Sequence, residues 1–173
     1  IHSTSRDTEI NSLNLFCDFS SGELPSWLTF ELGEAKILRE KQIDNFLKVE
    51  KPQNFSLKLN IPHQKSPYKI SYDIRIVGAL NSKPQFYAPA KNNLDTVTFL
   101  FDNSFWENSW THVDLIIQDN IESMWINNTP RIVYAYKDLY NESIALRFSD
   151  AIISIDNVQV RSLNEKDKID FSK

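Results

Sequence analysis

The sequence predicts an all-β domain, a two-sheet antiparallel sandwich or jelly roll, and three observations predict it. Apolar side chains recur at every second position in short runs, polar turn residues separate the runs, and no segment keeps a helical period over the length of a helix. Period-two alternation sets one side of each strand on a core and the other toward solvent or a groove.

The elements follow in order. The apolar run Leu15-Phe16-Cys17 opens the first strand, and Ser20-Ser21-Gly22 is the turn after it. Phe55, Leu57, Leu59 and Ile61 alternate with Ser56, Lys58 and Asn60. Beyond the Pro62–Pro67 turn, Ile70, Tyr72, Ile74 and Ile76 alternate with Ser71, Asp73, Arg75 and Val77. Val97, Phe99 and Phe101 repeat the pattern after the turn Lys91-Asn92-Asn93. Val113, Leu115 and Ile117 alternate with His112, Asp114 and Ile116, and the short step to Ile121 predicts a tight hairpin. Ile144, Leu146 and Phe148 form another run, and Ile153 and Ile155 lead to Val158 and Val160 across Asp156-Asn157, a bulge or turn. Only three glycines occur, so Asn and Asp must supply most left-handed turn positions. The charged stretch Asn164–Lys168 is the single helix-like piece.

At 173 residues the chain has the size of one domain. Residues 1–12 read as an N-terminal tether, 13–163 as the sandwich and 164–173 as a charged tail. With 41% hydrophobic and 24% charged residues, the chain is neither disordered nor membrane-embedded, and no apolar run is long enough for a transmembrane segment. A net charge of -4 with evenly spread basic residues excludes nucleic acid as a partner, because no basic stripe exists to neutralise phosphates. The lone Cys17 rules out an internal disulfide and reads as a small buried thiol. The polar start Ile1-His2-Ser3-Thr4-Ser5-Arg6-Asp7 reads as a processed end, its signal or anchor removed, and places the protein in a secreted, periplasmic or cell-surface setting.

Three segments carry a resemblance to a known superfamily. Trp110-Thr111-His112-Val113-Asp114-Leu115, a turn, then Met124-Trp125-Ile126-Asn127-Asn128 resembles the hairpin of laminin-G and concanavalin A-like domains, with Asn128 where those usually have glycine. Phe16-Cys17-Asp18-Phe19 with Leu24-Pro25-Ser26-Trp27 is similar to the opening strand of bacterial members. Ile153–Val160 resembles their closing strand and that of jelly-roll carbohydrate-binding modules. The resemblance implies two antiparallel sheets, one concave, with glycans met on the concave face or its rim. It implies no catalytic residues, because the Glu-x-Asp-x-Glu type string of the hydrolases of this fold is missing.

The solvent-side positions of the predicted strands supply the candidates. Asp73, Arg75, His112, Asp114, Glu122 and Arg147 would line one polar face if their strands share a sheet. There they would orient sugar hydroxyls, or two of the acids Asp73, Asp114 and Glu122 would serve as acid and base. The competing reading is cross-strand ion pairing on an ordinary wet sheet. Trp106, in the loop 103–108, is the leading stacking platform, with Tyr87, Tyr134, Tyr136 and Tyr140 in other loop-rich stretches and Trp125 able to face either way. Trp27 and Trp110 read as core plugs. No cofactor fingerprint is present, and the histidines make no zinc spacing. Related sandwiches often hold a structural calcium between first and last strands, for which Asp18 and Asp156 would be the ligands here. Three functions follow: a glycan-recognition or accessory domain, a glycoside hydrolase of the same fold, or a structural or adhesive module with a protein partner.

Overall fold

The computed structural model describes residues 13–40, 43–61, 67–76, 85–87, 98–100, 109–118, 121–135 and 144–164. Alternating burial turns the predicted runs into strands, thirteen among the described residues: β1 (Asn14–Cys17), β2 (Leu28–Leu32), β3 (Lys36–Glu40), β4 (Ile43–Lys48), β5 (Gln53–Leu59), β6 (Tyr68–Ile76), β7 (Gln85–Tyr87), β8 (Thr98–Leu100), β9 (Thr111–Gln118), β10 (Ile121–Ile126), β11 (Thr129–Ala135), β12 (Ile144–Ala151) and β13 (Ile153–Ser162). They form two antiparallel sheets. The larger has the order β11-β10-β9-β6-β13-β4-β3 with β1 added on β13, and the smaller has the order β2-β5-β12-β7-β8. No helix of the described residues is long and apolar enough to cross a membrane.

The core lies between the sheets. The larger sheet contributes Ile70, Tyr72, Ile74, Val113, Leu115, Ile117, Ile153, Ile155, Val158 and Val160, and the smaller contributes Leu28, Phe55, Leu57, Leu59, Leu146 and Phe148. Each such side chain removed from water contributes about 1.5–3 kcal/mol. Phe148 stacks on its cross-strand partner Phe55 in the smaller sheet at 6.5 Å and bridges to the larger sheet by meeting Tyr72 edge-on at 6.4 Å.

Turn chemistry follows the sequence. Three of the four non-glycine residues with positive φ are Asn127, Asn128 and Asn157. Asn127 and Asn128 make the two-residue turn between β10 and β11, where Ile126 pairs Thr129. Gln118 pairs Ile121 in the expected tight hairpin. The third, Asn157, marks a bulge in β13, where the register against β6 shifts between Asp156 and Gln159. Since β6 covers one edge of β13, β1 and β4 share the other, on either side of the bulge.

Candidate functional site

The bulge at Asn157 decides which side chains meet on the outer face of the larger sheet, away from the core. An unbroken strand would put Asp156 and Gln159, three positions apart, on opposite faces. The extra residue restores both to the outer face, while Ile155 and Val158 stay buried inside. Register then lines up a row across five adjacent strands: Phe16 on β1, Gln159 on β13, Ser71 on β6, Asp114 on β9 and Trp125 on β10. Each member alternates with inward residues, Ile70 and Tyr72 beside Ser71, Val113 and Leu115 beside Asp114, Met124 and Ile126 beside Trp125. Four strand spacings make the row about 19 Å long. Phe16 is 56% exposed at one end. At the other, half-buried Trp125 is steadied by an indole N–H donated to Ser123 Oγ at 3.0 Å.

A second row, Asp156–Asp73–His112, runs beside the first. The two are knitted together by an imidazole. His112 Nδ1 lies 2.8 Å from Asp73 Oδ1, and Nε2 lies 3.0 Å from Asp114 Oδ1. Ser71 Oγ donates to the same Asp114 oxygen at 2.6 Å, and Asn157 Nδ2 donates to Asp73 Oδ2 at 2.9 Å. The bulge residue therefore braces the acid across the strand pair. Hydrogen bonds to Asp114 and then Asp73 lift the His112 pKa to about 10, so the ring is an imidazolium at neutral pH. Burial pushes Asp73 and Asp114 up, but hydrogen bonds from His112, and from Asn157 or Ser71, outweigh it and hold both below their usual values. Asp156 differs. Burial, and then the charges of Asp73, Asp18 and Asp44, raise it to about 6 against a backbone hydrogen bond from Asn157.

This chemistry limits what the cluster can do. With a carboxylate at each nitrogen, His112 is no general base, and Ser71 donates to Asp114 rather than to an imidazole, so no activated nucleophile forms. Asp73 and Asp114, both ionised around one imidazolium, supply no proton-donating acid between them. What remains open to a ligand is Asp114 Oδ2, to which no donor among the described residues is directed, and the amide of Gln159.

Arg75 lies on the same face but is committed elsewhere. Its guanidinium makes a two-pronged contact with Glu40 at 3.0 and 3.2 Å, and sits 4.9 Å from the Trp110 ring and 5.2 Å from the Phe46 ring. Trp110 meets Phe46 edge-on at 5.9 Å, so it covers the outer face beside Arg75 and is not the core plug its sequence context predicts. Trp27 does pack against the core.

Of the six polar candidates, the structure brings Asp73, Arg75, His112 and Asp114 onto one face. Two expectations are overturned. Glu122 pairs with Ile117 on the inner face and is 1% exposed, where its charge helps raise the already buried Tyr72 hydroxyl. Arg147 lies in the smaller sheet and pairs with Glu31 at 3.6 Å, because β12 joins β5 and β7. Trp106, the side chains of Tyr87, Tyr134, Tyr136 and Tyr140, and the segments 1–12 and 165–173 lie outside the described residues. Sequence reasoning did not single out Phe16 or Gln159, and it read Asn157 as part of a bulge or turn without its bond to Asp73. For Phe16 the signal was present: Leu15 and Cys17 point inward, so the residue between them points out. Asp18 accepts a hydrogen bond from Ser20 N at 3.0 Å, and among the described residues no three His, Cys, Asp or Glu side chains converge as a metal would need.

No family model matches the chain, and no curated protein does. Solved structures do. Domain 4 of AbnA, a GH43 extracellular arabinanase from Geobacillus stearothermophilus in complex with arabinotriose, matches over 88% of this chain and 93% of its own, at TM-score 0.56 and 13% identity. The CBM22-1 xylan-binding domain of Paenibacillus barcinonensis Xyn10C matches over 87% and 94%, at 0.53 and 17%. The carbohydrate recognition domain of Emp47p matches over 88% and 95%, at 0.55 and 10%. What is shared is the fold. At that level the chain fits a concanavalin-like sandwich, and its neighbours include a xylan-binding domain and a carbohydrate recognition domain.

Proposed function

We propose that this domain recognises carbohydrate on the outer face of its larger sheet, along the row from Phe16 to Trp125. The observation that carries the reading is that row: a polar stripe about 19 Å long with an aromatic ring at each end. The rings take the C–H faces of sugars, while Asp114 Oδ2 and the Gln159 amide meet hydroxyls. The Asp73–His112–Asp114 network holds the middle rigid, so little side-chain entropy is lost on binding. The fold neighbours named for arabinotriose and xylan support the reading. It carries with it a secreted, periplasmic or cell-surface location, where polysaccharides are met.

A glycan array tests this, read beside a reducing-sugar release assay. Phe16→Ala and Trp125→Ala should each weaken binding by about 1–3 kcal/mol, the scale of ring stacking by alanine substitution. Unchanged binding in both, with unchanged melting, would remove the row from the site.

A second reading, hydrolysis, draws on one observation. Asp156, raised to about 6, pairs across the strands with Asp73, which is held low, and such divergence is what separates an acid from its ionised partner. Release of reducing ends that disappears in Asp156→Asn would establish it, and binding without release would dismiss it.

A further inference from the structure

Beside the row on its other flank lies a cation pair. Lys69 on β6 and Arg161 on β13 are direct cross-strand partners on the outer face. Like charges so placed repel and weaken a sheet. Lys69 Nζ is 4.0 Å from Asp114 Oδ1, a long contact to a carboxylate already held by His112 and Ser71. Among the described residues no acidic side chain pairs with Arg161. Next to Arg161 stands exposed Asn14, which lies between Leu13 and Leu15 in sequence and two residues from Phe16. Asp114 stands in the row itself, and Asp73 and Asp156 lie on the opposite flank of the row.

We infer that the saccharide held along the row carries an acidic substituent, a carboxylate or sulfate, seated between Lys69 and Arg161. This rests on the glycan reading of the row and adds the charge of the ligand. A saccharide along Gln159, Ser71 and Asp114 has Lys69 and Arg161 on one side and Asp73 and Asp156 on the other. Its anionic group is therefore directed to a single flank, which fixes its orientation as well as its class. The Arg161 guanidinium offers a fork that fits a planar carboxylate, and the Lys69 ammonium adds a point charge beside it.

The test uses the full chain with three probes on one backbone: oligogalacturonides, their carboxyl-reduced uncharged form, and that reduced form sulfated. At low ionic strength the carboxylate and sulfate probes should bind about tenfold tighter than the uncharged one, the size of a hydrogen bond to a charged group. The margin should shrink as salt rises. Arg161→Gln and Lys69→Gln should each cut the margin, and the double variant should erase it, leaving uncharged binding unchanged and the melting temperature no lower than that of the native protein. A carboxylate probe ahead of the sulfate supports seating on the guanidinium fork, and the reverse order supports a point-charge site. Equal binding of charged and uncharged probes, or a margin that survives the double variant, overturns the inference and leaves the glycan reading standing. Folded protein that binds none of the three overturns both.

Discussion

Asp114→Asn probes the network at its centre. Asp114 Oδ1 receives Ser71 Oγ at 2.6 Å and faces His112 Nε2 at 3.0 Å. It is the foremost cause of the His112 pKa of about 10, ahead of Asp73 at 2.8 Å. With its charge removed, the Asp73 contact alone should leave His112 near ~8, since one opposite charge shifts a pKa by about 1–3. That fall corresponds to about 2.7 kcal/mol of lost interaction with the imidazolium. The ring is 43% exposed. Solvent therefore screens part of that interaction, and the expected loss of stability at neutral pH is about 1–2 kcal/mol. The sign follows from linkage: the folded pKa lies above the unfolded value of 6.5, so the stabilisation is complete below about 6.5 and is lost as pH rises through about 10. In the variant it is likewise complete below about 6.5 and is already lost as pH rises through about 8. The depressed Asp73 and Asp114 act oppositely, stabilising above their unfolded value of 3.8 and ceasing to as pH falls through their lower folded values. Nitrogen-detected NMR titration of the imidazole, with denaturant titrations across pH, reads both effects. His112 titrating near 6.5 in the native protein, or unmoved by Asp114→Asn, would refute the network.

Two further substitutions test the frame. Leu115→Ala removes a fully buried side chain from β9 and should cost about 2–5 kcal/mol on urea denaturation; a near-zero cost would mean the faces of β9 are reversed. Gly33 has φ +78, and an added Cβ would come within 2.6 Å of Asn54 O and 2.7 Å of Gln53 Oε1. Gly33→Ala should therefore lower stability by more than about 1 kcal/mol, and an unchanged melting temperature would contradict the close approach.

Much of this was legible before any coordinates, because period-two alternation is a local signal. It placed Ile70, Tyr72 and Ile74 inside, and with them Asp73 and Arg75 outside. It correctly set His112 and Asp114 on one face of β9. It failed where the deciding fact is not local. Arg147 alternates as well as Asp73 does, yet β12 pairs into the smaller sheet, and sheet membership is a matter of long-range topology. Glu122 looked outward by its charge, but its parity with Met124 and Ile126 turns it to the core. The bulge or turn expected at Asp156-Asn157 is present and keeps Val158 and Val160 with Ile155, and by the same shift of parity Gln159 joins Asp156 on the outer face. Phe16 was read as part of an apolar run, although its inward neighbours had already assigned it outside.

On the proposed reading the ligand lies on the outer face of the larger sheet. Backbone-amide chemical-shift mapping, with the saccharide best bound on the array, locates it. Perturbations should concentrate on β1, β13, β6, β9 and β10 around Phe16, Gln159, Ser71, Asp114 and Trp125. A map centred on β2, β5 or β12 of the smaller sheet would contradict it.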